Sequence, residues 1–194
     1  MDLLFKNFST GYESNKIIND LNLEIKSGEW VGIIGSNGSG KSTLLKGIMK
    51  MTPQKKGHIF VNKTSIDSLN IKKLAKIISY LPQKINSNLP ITVKELVALG
   101  RSPHKYFWEF DWNEEDFSII EEALELCELK KYSENALSSL SGGQCQRAYL
   151  ALTIAQKTQI ILLDEPTTFL DINFQLQMLD LIKTLNKKNN LTIL

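Results

Sequence analysis

Residues 35–42 read GSNGSGKS. Their setting between an apolar run and a helix-forming stretch limits the chain to folds that deliver a strand into a glycine loop and then a helix. Backbone N–H groups converging on a phosphate tail hold it best, and side chains would block the approach, so Gly35, Gly38 and Gly40 leave room for the anion. Lys41 adds a positive charge that reaches the β and γ phosphates of a nucleoside triphosphate, and the Ser42 hydroxyl suits the magnesium that travels with them. Upstream, EWVGIIG from Glu29 to Gly35 predicts a buried parallel strand. Downstream, STLLKGIMKM from Ser42 to Met51 predicts a helix stopped by Pro53, which puts the phosphates at a helix N-terminus. The candidate nucleotide contacts are Gly35, Ser36, Asn37, Gly38, Ser39, Gly40, Lys41, Ser42 and Thr43, and the fold class is α/β.

A second apolar strand, IILLDEP from Ile160 to Pro166, ends in two acids. A magnesium-dependent phosphate site requires a carboxylate near its loop, and the acid closing such a strand helps hold the metal, which assigns Asp164 to magnesium beside Ser42. Glu165 is then left to accept a hydrogen bond from the attacking water. Taken alone, adjacent acids after a strand also fit a solvated turn or a helix cap. In LSGGQ, Leu140 to Gln144, Ser141 and Gln144 have the spacing of a capping box, and QCQRAYLALTIAQ behind them has helical composition. An ordinary Ser-capped helix accounts for those two residues but not for Gly142 and Gly143, where glycine is costly unless something approaches closely. This second helix start is open to an anion, yet the chain already holds one phosphate cradle, so it is expected to close over a nucleotide held by another copy.

In this order the motifs resemble the nucleotide-binding domains of ABC transporters over nearly the whole chain. The resemblance implies a P-loop NTPase core with a mostly parallel, RecA-like sheet flanked by helices. An N-terminal antiparallel β region and a helical signature subdomain complete it. It implies ATP and Mg2+ as cofactors and a homodimer whose copies face head to tail around two ATP molecules. Each site then joins the P-loop of one chain to Ser141, Gly142, Gly143 and Gln144 of the other. Tyr12 matches the aromatic that stacks on adenine, with Ile17 on the same face. Gln83, in YLPQ, resembles the catalytic-loop glutamine that contacts magnesium and senses the membrane partner. Asp171, closing FLD from Phe169, resembles the aspartate that bridges the two subunits. Singly, Tyr12 also fits packing and Gln83 a solvated loop; their order relative to the strong motifs raises them.

Two further stretches, ITVKELVALGRSPH from Ile91 to His104 and LDEPTTFLDINFQLQMLDLI from Leu163 to Ile182, are similar to the ATPases of iron–siderophore importers, with cobalamin and haem importers as close relatives. That similarity implies an ATP-hydrolysing subunit energising uptake of an iron chelate at the cytoplasmic face of the membrane. Its direct partners are permease subunits, and an extracellular substrate-binding protein is an indirect one. Thr92 and Glu95 form another capping-box pattern, predicting a helix to Gly100. YFWEFDW, Tyr106 to Trp112, either fills a core or sits where the short cytoplasmic helix of a permease docks; exposure of Phe107 or Trp108 separates the two. Two other classes stay open. One is a soluble ABC-type ATPase acting on nucleic acid or ribosomes, although no coiled-coil insertion or second ATPase unit is visible. The other is an ATP-binding module with little turnover.

At 194 residues and 42% hydrophobic content, the chain can bury one substantial core. No apolar run nears the roughly 20 residues that span a bilayer, and MDLLFKNF lacks the pattern of an export signal, so a cytoplasmic location is expected. A net charge of +2 argues little for nucleic acid, and the Lys55-Lys56 and Lys187-Lys188 pairs read as solvated ends. Cys127 and Cys145 lack metal spacing and are expected reduced, and neither His58 nor His104 has companion ligands in sequence.

The organisation expected is one domain, 1–194, with a core lobe at about 1–84 and 149–194 and a helical subdomain at about 85–148. Within the latter, NEEDFSIIEEALELC predicts a helix with an Asn113 cap and three acids in its first turn. Two departures from the family stand out. Cys145 occupies a position commonly basic or polar, while Gln146 and Arg147 continue the usual pattern. LTIL, Leu191 to Leu194, resembles the strand leading to the family's switch histidine, which does not follow it. Chain termini usually end polar and exposed, so the expectation is a fragment or a naturally shortened product. Loss of that histidine is expected to hurt turnover more than ATP binding, because phosphoryl transfer depends on positioned charge.

Overall fold

The computed structural model describes residues 1–13, 15–106, 111–167 and 170–194. They group into two compact units. The first comprises Met1–Tyr80, Gln159–Asp164 and Leu185–Leu194, and the second comprises Leu81–Thr158 and Glu165–Thr184. The sequence reading draws the divisions near 84 and 149; packing draws them elsewhere, and groups the whole helix after the signature with the second unit.

The first unit opens with an antiparallel sheet in the order β2-β1-β3-β4, formed by β1 (Leu3–Tyr12), β2 (Asn15–Ile25), β3 (Gln54–Val61) and β4 (Thr64–Ser65). Leu3 and Phe5 alternate inward as a half-buried strand requires, but Phe8, not residue 7, is the next core residue. A bulge causes this change of phase: Asn7 has φ 48°, and the β1 pairings slip between Phe5 and Phe8 on one side and Lys6 and Ser9 on the other. Opposite it, Gly57 has φ 71°, and a Cβ there would lie 2.1 Å from Asn7 O, so glycine is required where the bulge meets β3. Helix α1 (Lys41–Ile48) buries Leu44, Leu45 and Ile48 in a cluster with Phe5, Phe8, Ile59, Ile160 and Leu162. Each such side chain contributes about 1.5–3 kcal/mol on full burial.

The predicted helix from Ser42 to Met51 is shorter than expected, and Pro53 is not what stops it. Met51 N donates to Lys46 O and Lys50 N to Gly47 O, with Lys50 at φ 57°, so a Schellman turn closes α1 before the proline. After α2 (Ile71–Ala75), a second sheet has the order β5-β6-β7, from β5 (Ile78–Leu81), β6 (Ile160–Leu163) and β7 (Thr192–Ile193), with β6 and β7 parallel. The expected buried strand Glu29–Gly35 is a correction. Among the described residues it pairs in parallel with β7 around Trp30, through Val31 N to Ile193 O and Ile193 N to Glu29 O, and carries no further ladder. Val31 and Ile33 are half-buried against the core, whereas Trp30 and Ile34 are 41% and 98% exposed.

The second unit is helical: α3 (Val93–Ala98), α4 (Glu114–Leu126), α5 (Gly142–Ala155) and α6 (Ile172–Asn189), the last running on into the first unit. Both expected caps of the helical insertion form. Thr92 and Glu95 make a reciprocal capping box on α3, and Asn113 and Asp116 make one on α4, behind acids that suit the positive end of the helix dipole. A 3₁₀ turn, Leu99–His104, extends α3, and a Cβ on Gly100 would lie 2.4 Å from Leu152 O, so glycine lets this turn pack onto α5.

Sequence patterning missed the buried ion cluster beneath that turn. Arg101 Nε donates to Asp116 Oδ1 at 2.9 Å, Lys105 Nζ pairs with Asp116 Oδ2, and Arg101 Nη1 reaches Ala155 O at 3.0 Å. Burial works to raise the Asp116 pKa, but hydrogen bonds from Lys105 and Arg101 outweigh it and hold the carboxyl below its ordinary value. Because the folded value lies below the unfolded one, this stabilisation is complete above the unfolded carboxylate range and is lost as pH falls through the folded value. Asp116→Asn is expected to lower stability at neutral pH by about 1.5–3 kcal/mol and to flatten the acid limb of the stability curve. Urea unfolding at a series of acidic and neutral pH values checks both.

Candidate active site

In the first unit the glycine loop leads directly into α1. Gly38 and Gly40 have φ 78° and 100°, a left-handed backbone that turns the chain toward the helix start. A Cβ at Gly40 would also stand 2.7 Å from Ile17 Cγ2, so glycine is what lets Ile17 approach the loop. Tyr12 ends β1 at 45% exposure, its ring available for stacking. Lys41 Nζ donates to Gly35 O at 2.9 Å and Ser36 O at 3.1 Å, drawing the ammonium across the loop mouth. Ser39 N donates to Ser36 O at 3.2 Å, which tightens the turn holding Asn37. Thr43, inside α1, is buried.

Asp164, just after β6, is buried at 3% exposure. Its Oδ1 accepts from Ser42 Oγ at 2.7 Å and its Oδ2 from Tyr80 OH at 2.9 Å. Two donors thus aim the carboxylate; the sequence placed Ser42 and Asp164 at one metal but did not point to Tyr80. Tyr80 lies within the same YLPQ string that singled out Gln83, and no sequence pattern distinguishes its hydroxyl from a packing aromatic. Burial, followed by the Asp164 charge and their hydrogen bond, pushes the Tyr80 pKa up, so the phenol stays protonated and remains a donor.

In the second unit, Gln83 Nε2 donates to Glu165 Oε2 at 2.6 Å, joining two residues named from separate motifs. Glu165 has φ 50°, a conformation uncommon for a residue with a side chain and a local strain of the kind that collects at functional positions. The signature starts α5 with the expected reciprocal cap: Ser141 N donates to Gln144 Oε1 at 2.9 Å, and Gln144 N to Ser141 Oγ at 3.3 Å. A Cβ at Gly143 would lie 3.3 Å from Leu170 Cδ2, close enough that the leucine would have to shift by a few tenths of an ångström. One at Gly142 would meet nothing within 4 Å among the described residues. Asp171 Oδ1 accepts from Asn173 N at 3.0 Å and Phe174 N at 3.1 Å, capping α6.

A family model described as ABC transporter matches residues 18–168. The chain belongs to the ABC transporter family. It is 46% identical over 90% of its length to the petrobactin import ATP-binding protein FpuC of Bacillus anthracis. It is 41% identical over 95% of its length to the iron(3+)-hydroxamate import ATP-binding protein FhuC of Bacillus subtilis. The chain spans about two thirds of these curated relatives, 64% and 68% of their respective lengths. A dimeric ATP-binding cassette solved in a post-hydrolysis state with ADP and phosphate matches at a TM-score of 0.82 and 32% identity, over 98% of this chain and 85% of that one.

The ABC fold class expected from sequence is thereby shown, with its antiparallel N-terminal sheet, parallel pairing and helical unit. Among the described residues, no helix is long and apolar enough to cross a membrane. The exposure test posed for Phe107 and Trp108 lies outside the described residues, as does Phe169. At the edges of the aromatic stretch, Tyr106 is 59% exposed, and Trp112 helps line an apolar groove of about 410 Å³ with Ile91, Leu99, Phe117 and Ile120. Cys127 and Cys145 are buried and unpaired with each other, and burial pushes the Cys127 thiol up to about 12.

Proposed function

We propose that this chain binds and hydrolyses ATP to energise import of an iron–siderophore complex, working as a head-to-tail homodimer on the cytoplasmic face of a membrane permease. The observation that carries the ATPase reading is the aimed carboxylate: Asp164, held by Ser42 and Tyr80, is followed in the chain by Glu165, which is held by Gln83. One acid suits a cation and the next suits a water. The import reading draws on the names of relatives, one importing petrobactin and one iron(3+)-hydroxamate. The homodimer reading draws on the dimeric solved cassette.

In this mechanism the Gly35–Thr43 backbone cradles the phosphates, Lys41 exchanges its loop carbonyls for β and γ phosphate oxygens, and Tyr12 and Ile17 flank the adenine. The oxygen donors of Ser42 and Asp164 lie 2.7 Å apart at a helix start, a hard-ligand pair that fits Mg2+, with the amide oxygen of Gln83 a further candidate ligand. When bound, the cation supplies charge neutralisation on the β and γ phosphates. Glu165 accepts a hydrogen bond from the attacking water. The water oxygen bonds to the γ-phosphorus as the bond to the β–γ bridging oxygen breaks, leaving ADP and inorganic phosphate. Ser141, Gly142, Gly143 and Gln144 of the second copy close over the γ-phosphate, and Asp171 bridges the copies. Hydrolysis releases the dimer and resets the permease, which receives cargo from an extracellular substrate-binding protein.

Tyr80→Phe is expected to weaken magnesium-dependent ATP binding about tenfold while leaving ATP binding in chelator unchanged, because only the metal ligand loses its support. Titration of ATP with and without Mg2+ separates the two. For the import reading, disrupting the gene in its host should abolish uptake of labelled ferric siderophore. Undiminished uptake of every siderophore tested would remove the cargo assignment, and salt-sensitive binding of nucleic acid by the purified protein would replace it with the soluble alternative.

A further inference from the structure

Among the described residues, the signature helix touches the chain that follows Glu165 at Pro166, Leu170 and Phe174, all inside the second unit. Buried Gln146 donates through Nε2 to Pro166 O at 3.2 Å. Gly143 is packed closely enough on Leu170 that a Cβ would stand 3.3 Å from its Cδ2. The Arg147 guanidinium lies 5.0 Å from the centre of the Phe174 ring, on the first turn of α6, whose N–H Asp171 caps. Residues 143, 146 and 147 share one face of α5.

Arg147 is held expensively. Its Nη1 reaches Glu128 Oε2 at 3.2 Å, yet its Nε is buried with no hydrogen-bond partner among the described residues. An unmade bond of that kind costs stability, and a shorter or apolar side chain would avoid it. What the arginine supplies in exchange is a planar cation on an aromatic face, a contact that resists sliding of α6 against α5. Pro166 is bonded directly to Glu165, whose left-handed backbone must be held from outside. Gln146 grips the next carbonyl.

We propose that Gln146 and Arg147 are positioning residues that lock the signature helix to Glu165 and to the Asp171-capped start of α6 as one lever. Resting on the function proposed above, this means that when a chain's signature closes on the nucleotide of the second copy, the same motion sets that chain's own Glu165. Cooperativity between the two ATP sites of such a dimer then runs, within each protomer, through these two side chains of α5.

The test is phosphate release against ATP concentration for the unsubstituted chain, Arg147→Met, Arg147→Lys and Gln146→Leu, with ATP affinity measured separately by equilibrium binding. The lever predicts affinity within about twofold of the parent, kcat lowered at least about tenfold and the sigmoidal ATP dependence flattened, in keeping with site-to-site coupling of about 1–3 kcal/mol. Arg147→Lys, retaining the cation over Phe174, should recover part of the rate. If Arg147→Met does not fold, Phe174→Leu removes the ring instead and should give the same pattern. Parental rate and cooperativity in the folded variants overturn the lever and leave the ATPase reading intact. Parallel loss of affinity and rate also overturns it, because it points to the nucleotide site itself. An unsubstituted chain that binds no ATP, or binds it without turnover, overturns the proposed function and the lever with it.

Discussion

Glu165→Gln is expected to keep ATP bound while slowing phosphate release by about 10²–10⁴-fold, the usual contribution of a positioned acid–base group. The amide keeps the size of the side chain and can still meet Gln83, so the 2.6 Å contact between residues 83 and 165 need not be lost. What disappears is an anionic acceptor for the attacking water. Because ATP then persists, the substituted protein should accumulate as an ATP-dependent dimer, visible as a shift in sedimentation on adding nucleotide. Parental turnover in this variant would remove Glu165 from the mechanism, and Asp164, with both oxygens already engaged by Ser42 and Tyr80, is poorly placed to substitute.

Lys41→Ala should lower ATP affinity by about 10²-fold or more, consistent with the loss of a charge-assisted phosphate contact in a partly enclosed site. Two effects add. The ammonium proposed to reach the β and γ phosphates is gone, and so are its hydrogen bonds to Gly35 O and Ser36 O, which tie the loop to the start of α1. Isothermal titration with ATP and with AMP distinguishes them, since only the longer phosphate tail feels the lost charge. Unchanged ATP affinity would withdraw the phosphate-loop assignment.

Capping was the part of the fold most legible in the residues. Ser141 with Gln144 and Thr92 with Glu95 form the reciprocal bond their spacing implies, and Asn113 caps its helix as expected with Asp116 adding a return bond, because a cap involves only a few neighbouring residues and leaves little for tertiary context to override. The strand Ile160–Leu163 was equally plain, a continuous apolar run buried over Ile160, Ile161 and Leu162 and half-buried at Leu163. Glu29–Gly35 reads much the same in composition, yet among the described residues it makes one parallel bridge, Trp30 to Ile193, and buries Val31 and Ile33 only in part, since a strand is completed by its partners. Composition describes what a segment can bury, not what arrives to cover it.

Of the candidate site, the local chemistry was written in order along the chain: the glycine loop, Lys41, Ser42, the acid pair and the signature, each a contiguous motif whose residue types the phosphate chemistry demands. The contacts between distant positions were decided only by folding. Tyr80 on Asp164, Gln83 on Glu165, Arg101 with Lys105 on Asp116, and Arg147 on Phe174 join residues 84, 82, 15 and 11, and 27 positions apart. A tyrosine or arginine at such a position has the same local sequence whether it packs, pairs or faces water. Only the packed units bring its partner within hydrogen-bonding reach, where desolvation makes the pairing matter.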